Sequence, residues 1–275
     1  MDSIQKKLLA EVADLHDVPQ GAYSLRINGS LYGKNSSENI EIVAKTDKPG
    51  IDIYVKAGTK NESLHIPVIL SQSGLKELVY NDFHIGEDCD VTIVAGCGIH
   101  NGGDEASEHS GIHAFYVSKN AKIKYVEKHY GQGDGNGENI MNPTTYVELA
   151  ENAHMEMETV QIKGVDSTVR DTKAHLAAGA KLIMTERLLT HGNQYARSDM
   201  DVYLDGEDAS SQIISRSVAK DNSTQTFLSK INGNAECYGH TECDAIIMDN
   251  AVVKAVNKSS FARQPTNVVI ITKTK

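Results

Sequence analysis

The main pattern along this chain is an alternation of apolar and polar residues over short segments, which is typical of half-buried β-strands. Residues 122–126 and 154–160 are examples, because Ile123 and Tyr125, and Met155 and Met157, alternate with polar side chains. A mixed apolar and charged stretch suited to a helix stands at the start, over residues 3–15, and it ends before Pro19. The pattern therefore predicts an all-β fold with one short N-terminal helix.

A short motif recurs: an apolar residue, two or three spacers, then Asp, Asn or Gly, and then a small residue that opens the next alternating segment. Asp, Asn and Gly tolerate the positive φ of a tight turn, so each occurrence predicts a corner. The turn residues are Asp88, Asn120, Asn152, Gly179, Asp208, Asn234 and Asn250. The small residues after them are Cys89, Ala121, Ala153, Ala180, Ala209, Ala235 and Ala251.

The intervals between these small residues are 32, 32, 27, 29, 26 and 16 residues, and all but the last suit one coil of a parallel β-solenoid. Aromatic residues make up only 5% of the chain and Trp is absent, so aliphatic side chains must fill the interior. We therefore predict a parallel β-helix. An antiparallel sandwich is the main alternative, but its frequent hairpin turns have too few Asn-Gly or Asp-Gly signals here.

This interpretation divides the chain into four parts. They are an N-terminal helix (1–20), irregular N-terminal β coils (21–79), a parallel β-helix core (80–256) and an atypical C-terminal strand or tail (257–275). The last part contains a strongly β-prone apolar segment, residues 267–272. Because such a segment leaves an unpaired sheet edge, it predicts pairing with a second chain.

The formal net charge of −10 argues against a protein that binds the backbone of a nucleic acid. No apolar run approaches the length of a membrane span, and the first residues lack the apolar core of a signal peptide. These features predict a cytoplasmic protein that contacts neither nucleic acid nor membrane. In that compartment the four cysteines are packing residues, metal ligands or reactive thiols rather than disulfides.

The densest group of candidate metal ligands lies at residues 237–244, where Cys237, His240 and Cys243 are spaced three apart and Glu242 and Asp244 flank the last cysteine. Thiolates suit zinc and iron–sulfur clusters, but a zinc site normally takes four ligands and no second half-motif occurs. Two interpretations remain open. Either these residues form a metal site, or Cys237 and Cys243 are small buried residues of adjacent strands and His240 caps the turn between them.

Other candidates favour structural roles. Cys89 stands where Ala occurs in the six other repeats, and Cys97 lies between glycines that permit close backbone approach. His100, His109 and His113 follow one another along a polar stretch without a fixed spacing, so we expect a solvated loop.

A glycine-rich loop at residues 131–137 lacks the strand–loop–helix order and the closing Lys-Ser or Lys-Thr of a phosphate-binding loop. We therefore expect a flexible surface loop and no bound nucleotide. A G-x-S-x-G nucleophile elbow is also absent from the sequence.

Residues 96–98, 109–125, 213–219 and 241–248 resemble the SufB/SufD family of iron–sulfur cluster assembly scaffolds. The similarity extends from about residue 20 to residue 256 and implies a right-handed parallel β-helix. It also implies a scaffold rather than an enzyme, which holds an iron–sulfur cluster transiently and passes it to acceptor proteins. The partners implied are a SufC-like ABC-type ATPase and a second SufB/SufD-like chain, in a homodimer or a heterodimer.

The resemblance assigns the cluster to Cys243, which matches the cysteine of the family's T-x-C-D segment. Glu242 could supply a labile oxygen ligand, but neighbours in a strand point to opposite faces, so this role requires a bulge or turn. Cys237 and His240 are further ligand candidates because they are close in sequence.

Beyond Val256 the sequence departs from the family, because the expected His-Glu-Ala motif and helical tail have no counterpart before Lys275. We therefore expect weak docking of the ATPase. Two alternatives stay open. One is a SufD-like or truncated structural partner that binds no cluster, and the other is a carbohydrate-active β-helix enzyme with clustered carboxylates and basic residues on one sheet face.

Overall fold

The computed structural model describes residues 1–261 and 268–274, and most of these residues lie in β-strands. The chain begins with helix α1 (Ser3–Ala13) and then winds into coils whose strands add in turn to two facing sheets. Neighbouring coils are joined by parallel pairing, with two antiparallel pairs among residues 22–55. The predicted parallel β-solenoid is confirmed.

From residue 50 onward the chain passes back and forth between the two sheets, whereas its first strands form a hairpin in each sheet. Sheet 1 contains, in order, β2 (Ser30–Asn35), β1 (Ala22–Ile27), β5 (Lys60–Leu70), β7 (Asp90–His100), β9 (Lys122–Gln132), β12 (His154–Lys163), β14 (Lys181–Thr190), β16 (Ala209–Ala219), β18 (Cys237–Ile247) and β20 (Val268–Thr274). Sheet 2 contains β3 (Ile40–Ala44), β4 (Gly50–Val55), β6 (Lys76–Ile85), β8 (Ser107–Val117), β10 (Asn139–Met141) with β11 (Thr144–Leu149), β13 (Ser167–Leu176), β15 (Tyr195–Leu204), β17 (Thr224–Gly233) and β19 (Val252–Phe261).

One corner of the solenoid, where each coil passes from sheet 2 to sheet 1, follows the predicted motif. The residues with positive φ at this corner include Asp88, Asn120, Asn152, Gly179 and Asp208. The small residues that follow them are completely buried: Cys89, Ala121, Ala153, Ala180 and Ala209. Because these positions stack on one another in successive coils, we call them the corner column.

The last predicted corner was placed on the wrong side of the coil. Asn250 does not have positive φ, whereas Asp249 does, and the turn joins β18 of sheet 1 to β19 of sheet 2. Ala251 therefore belongs to the opposite corner, half a coil later. This position explains why the last interval is only 16 residues.

The corner before β18 also differs from the prediction. Asn234 does not have positive φ, and the residue in register with Ala209 is Cys237 rather than Ala235. Cys237 therefore occupies the corner column in this coil, as Cys89 does in an earlier one. The Cys89 thiol is completely buried and donates a hydrogen bond to the Lys56 carbonyl oxygen at 3.0 Å.

Apolar columns fill much of the interior, because each inward residue lies beside its equivalent in the next coil. The rings of Phe83 and Phe115 stack with centroids 4.3 Å apart, and Val147 and Ala174 continue that column. Such in-register stacking buries a continuous core without requiring large side chains.

Helix α1 packs on the outer surface of sheet 1. Asp2 and Gln5 form a reciprocal capping box at its start, and Asp14 ends it in the left-handed conformation. Leu8 lies over Gly98, where an added Cβ would be 3.1 Å from the Leu8 Cβ, so glycine permits this close approach. Among the described residues no helix is long and apolar enough to cross a membrane.

The glycine-rich loop is on the surface, as predicted, but it is tied to the preceding coil. The backbone amides of Gly135 and Gly137 donate to the carbonyl oxygens of Asn101 and Gly103 at 3.2 and 2.9 Å. A Cβ on Gly135 would lie 2.1 Å from the Gly103 oxygen. The glycines therefore allow this loop to pack closely against the loop of the preceding coil. Backbone hydrogen bonds hold it there.

Replacing Ala180 by Leu should destabilise the protein by about 1–3 kcal/mol, because the corner column has no space for a larger side chain. Urea unfolding of Ala180→Leu and of the exposed control Ala178→Leu in the same turn measures this effect. Equal free energies of unfolding for the two variants would show that the corner is not tightly packed.

Candidate functional site

Strand β18 carries all four predicted metal ligands and separates them onto two faces. It pairs with β16 over its whole length without a register shift, so its side chains alternate regularly. Cys237 and Cys243 point into the solenoid and are buried, whereas His240 and Glu242 point outward. The bulge that would bring Glu242 beside the Cys243 thiol is absent from this strand.

The two cysteines lie on one strand, not on adjacent strands as one interpretation supposed. Six residues separate Cys237 from Cys243, which corresponds to about 20 Å of strand. His240 lies in the middle of that strand, so it does not cap a turn. Among the residues that the structure describes, no group of three or more His, Cys, Asp or Glu is arranged to hold a metal ion.

The outer face of β18 carries an ion-pair cluster around Arg216. The guanidinium lies 2.9 Å from a Glu242 oxygen and 3.3 Å from an Asp244 oxygen, and His240 Nε2 is 3.4 Å from Glu242. Partial burial opposes ionisation of Glu242, but Arg216 and His240 lower its pKa. A metal ion that bound Glu242 would have to displace Arg216.

The inner face of sheet 1 contains a buried line of polar side chains that the sequence analysis did not identify. Five neighbouring strands of sheet 1 each contribute one inward-pointing polar residue, and these residues are in register with one another. We call them the polar row: Glu127, Thr159, Glu186, Ser215 and Cys243. All five are buried. The line therefore places Cys243 in one row with two carboxyl groups, although the Thr159 hydroxyl between them has no hydrogen-bond partner among the described residues.

At one end of the polar row, Ser215 stands between Cys243 and the hydrogen-bonded carboxylate of Glu186. The Ser215 hydroxyl donates to Glu186 at 3.0 Å, and the Ser198 hydroxyl from sheet 2 donates to the other oxygen of Glu186. Burial, assisted by Glu186, raises the pKa of Cys243 to about 11, although a hydrogen bond with Ser215 acts in the opposite direction. The thiol is thus protonated at neutral pH, and binding a metal would release its proton.

At the other end, Glu127 is balanced by a buried cation. Arg170 Nη1 lies 2.5 Å from Glu127, both side chains are 5% exposed, and the Tyr125 hydroxyl donates to the same carboxylate at 3.2 Å. Burial opposes ionisation, but Arg170 and His129 outweigh it and hold the pKa of Glu127 well below its usual range. An unpaired buried charge is costly, so removing either Glu127 or Arg170 and leaving the other would destabilise the interior.

Cys97 lies in this region as well. It is aligned with His129 in the next coil and lines a cavity of about 20 Å³ together with His113 and Glu127, which is room for roughly one water molecule. Burial chiefly, with Glu77 and Glu127 contributing, raises the pKa of Cys97 well above its usual value. The thiol is therefore protonated and enclosed.

The expectation that His109 and His113 lie on a solvated loop is wrong. Both are on β8 and are buried, at 7% and 5% exposure. The His113 ring stacks on Phe83 at 5.9 Å, and its Nδ1 lies 3.4 Å from the Tyr125 hydroxyl. Burial, more than any neighbouring charge, lowers the pKa of His113 to about 4, so the imidazole is neutral at physiological pH.

This neutral histidine should make the protein less stable in mild acid. The ordinary pKa of His is 6.5, so between pH 6.5 and about 4 the unfolded chain binds a proton that folded His113 does not. Stability contributed by this group is therefore lost as the pH falls, by about 2 kcal/mol between pH 7 and pH 5. Denaturant unfolding of wild type and His113→Gln at both pH values tests this, and identical pH dependence in the two proteins would contradict it.

Comparison with known proteins finds a family match over most of the solenoid. The family model "SUF system FeS cluster assembly, SufBD core domain" matches residues 76–256. This match covers the polar row, the corner column from Cys89 onward and all of β18.

Two relatives are named as iron–sulfur cluster assembly SufBD family proteins. The protein from Methanocaldococcus jannaschii is 28% identical over 207 residues, which are 74% of this chain and 64% of that protein. The protein from Archaeoglobus fulgidus is 23% identical over 214 residues, which are 77% of this chain and 56% of that protein. The chain thus spans somewhat more than half the length of these relatives, and, since the family model covers well over half of the chain, it belongs to the SufBD family of iron–sulfur cluster assembly proteins.

Proposed function

We propose that this protein is a scaffold of SUF-type machinery that assembles an iron–sulfur cluster as cargo and transfers it to acceptor proteins, without catalysing a reaction of its own. The observation that carries the proposal is the position of Cys243. This cysteine lies within the family match and is the thiol of a buried polar row that also contains Glu186 and Ser215.

The donor set suits a cluster that must be released. Cys243 is the principal ligand in this proposal, because a thiolate is the ordinary protein ligand of iron–sulfur clusters. On the inner face of sheet 1, Glu186 is the carboxylate of the polar row nearest to Cys243. Glu242 and His240 point outward and would become ligands only if β18 rearranged. One soft ligand among oxygen donors would hold iron less firmly than four thiolates, which favours transfer.

Cys237 has a weaker claim as a ligand. It is at the far end of β18 in the corner column, and burial raises the pKa of its thiol. Its register with Ala209 gives it a packing role like that of Cys89, so we rank it below Cys243.

We propose that the protein acts in the cytoplasm with a SufC-like ABC-type ATPase and a second SufB/SufD-like chain. Membership of a SUF assembly family supports partners of this kind. Strand β20 supports the second chain, because among the described residues it pairs with β18 along one edge only. A free strand edge is a common site for pairing between chains.

A second candidate is a SufD-like structural partner that retains the solenoid but handles no cluster itself. The observation that favours it is the enclosure of Cys243, whose thiol is 1% exposed and protonated at neutral pH. Iron binding distinguishes the two candidates directly.

Cys243→Ser should lose most of the iron retained after anaerobic reconstitution with iron and sulfide, because a hard hydroxyl replaces a soft thiolate of similar size. Stability should change little. Iron analysis after desalting measures the effect, with Cys89→Ala as the control, because Ala stands at the same position in other coils. Unchanged iron content in Cys243→Ser would rule out this cysteine as the principal ligand.

Pairing through β20 should make the purified protein a dimer that Val269→Lys converts to monomer, because a charge on the terminal strand opposes edge-to-edge association. Light scattering coupled to gel filtration measures the mass. The control is Val169→Lys on the exposed surface of sheet 2, which should leave the dimer intact. Wild type that is already monomeric would refute pairing through β20.

A further inference from the structure

The outer surface of sheet 2 carries a ladder of stacked rings. Tyr54 stacks on His84 with centroids 4.8 Å apart, and His84 stacks on Tyr116 at 5.2 Å. Farther along the same line, His175 stacks on Tyr203 at 4.6 Å, with the planes inclined by only 4°. The rings follow the register of successive coils, so the ladder has one rung for each strand.

One rung of this ladder is missing. Register places Glu148 of β11 between Tyr116 of β8 and His175 of β13. The two rings therefore belong to strands about 10 Å apart, which is twice the ordinary spacing and leaves room for one planar group between them. A cavity of about 420 Å³ opens at this point, lined by Tyr116, Glu148, His175 and Asp205, among others.

The charges around the gap favour a cation. Glu148 is exposed, and it forms no hydrogen bond or ion pair with another side chain in the described part of the protein. Asp205, in contrast, is occupied: it lies 2.8 Å from His175 Nδ1 and accepts a hydrogen bond from the Asn234 amide at 2.5 Å. Asp205 therefore orients the His175 ring, and the Glu148 carboxylate is left for a ligand.

The neighbouring rung shows that cations already bind to this ladder. The ammonium groups of Lys173 and Lys230 lie 5.3 and 5.9 Å from the centroid of the Tyr203 ring. These lysines come from within the chain, and the ring that they contact is one strand beyond His175 from Glu148. The net charge of −10 would also draw a cationic partner toward the protein.

We propose that the missing rung is a binding site for the guanidinium group of an arginine on a partner protein. A guanidinium is planar, forms paired hydrogen bonds with a carboxylate and stacks on aromatic rings. A guanidinium bound to the Glu148 carboxylate and parallel to the neighbouring rings would lie between Tyr116 and His175 and fill the gap in the ladder. An ammonium group has the charge but lacks the flat surface, so arginine should be preferred to lysine.

A titration followed by amide NMR tests this site with two probes, acetyl-Gly-Arg-Gly-amide and its lysine analogue. The arginine peptide should cause saturable shifts at Tyr116, Glu148 and His175, and the lysine peptide should bind more weakly. Glu148→Gln should weaken binding about tenfold, because it removes the charge from a charge-assisted pair. The control Glu156→Gln changes an exposed carboxylate on the other sheet and should bind as wild type does.

A second variant, Tyr116→Leu, separates stacking from charge, since it keeps Glu148 and removes one wall of the gap. It should abolish the preference for arginine over lysine. The proposal is overturned by an absence of saturable shifts, by equal binding of the two peptides to wild type, or by unchanged binding to Glu148→Gln. The measurement requires no iron, so its result is independent of the proposed scaffold function.

Discussion

In-register stacking of coils is the constraint on which the rest of this structure depends. Strands about 4.8 Å apart place each side chain beside its equivalent in the next coil, so a position favours residues that pack against the side chains at that position in the neighbouring coils. Small residues such as Ala153 and Ala180 therefore stack at the corner, and Phe83 stacks on Phe115 in the interior. The polar row and the ring ladder follow from the same rule on the inner and outer faces.

The polar row, with the polar side chains that face it from sheet 2, is a costly part of the interior. A buried charge is tolerated only when it is paired and hydrogen-bonded, and here Arg170 balances Glu127, while Ser198 and Ser215 satisfy Glu186. Cys243 belongs to this row rather than to an apolar column. In the proposed function this position puts one serine between the thiol and the Glu186 carboxylate, and it keeps the thiol protonated and enclosed until iron binds.

Alternation and the turn residues were sufficient to predict the solenoid and five of the seven corners. They misplaced Asn250, because the two corners of a coil share one turn chemistry and only register distinguishes them. At the corner before β18 they chose Asn234 and Ala235, whereas the coil length puts Cys237 in register with Ala209. Burial of His109 and His113 was missed because a polar stretch was equated with a loop. Glu127 could have been found, since it alternates in step with Tyr125, but its alignment with Glu186 and Cys243 depends on the exact coil lengths.

Transfer to an acceptor protein tests whether this chain carries a cluster that it can give away. The chain is reconstituted anaerobically with iron and sulfide, desalted and mixed with an apo-ferredoxin while the visible circular dichroism of the ferredoxin is recorded. If the chain is a scaffold, we expect the ferredoxin spectrum to develop even in the presence of a chelator that intercepts free iron. Failure of the chain to retain iron, or transfer that the chelator abolishes, would contradict the proposed scaffold function.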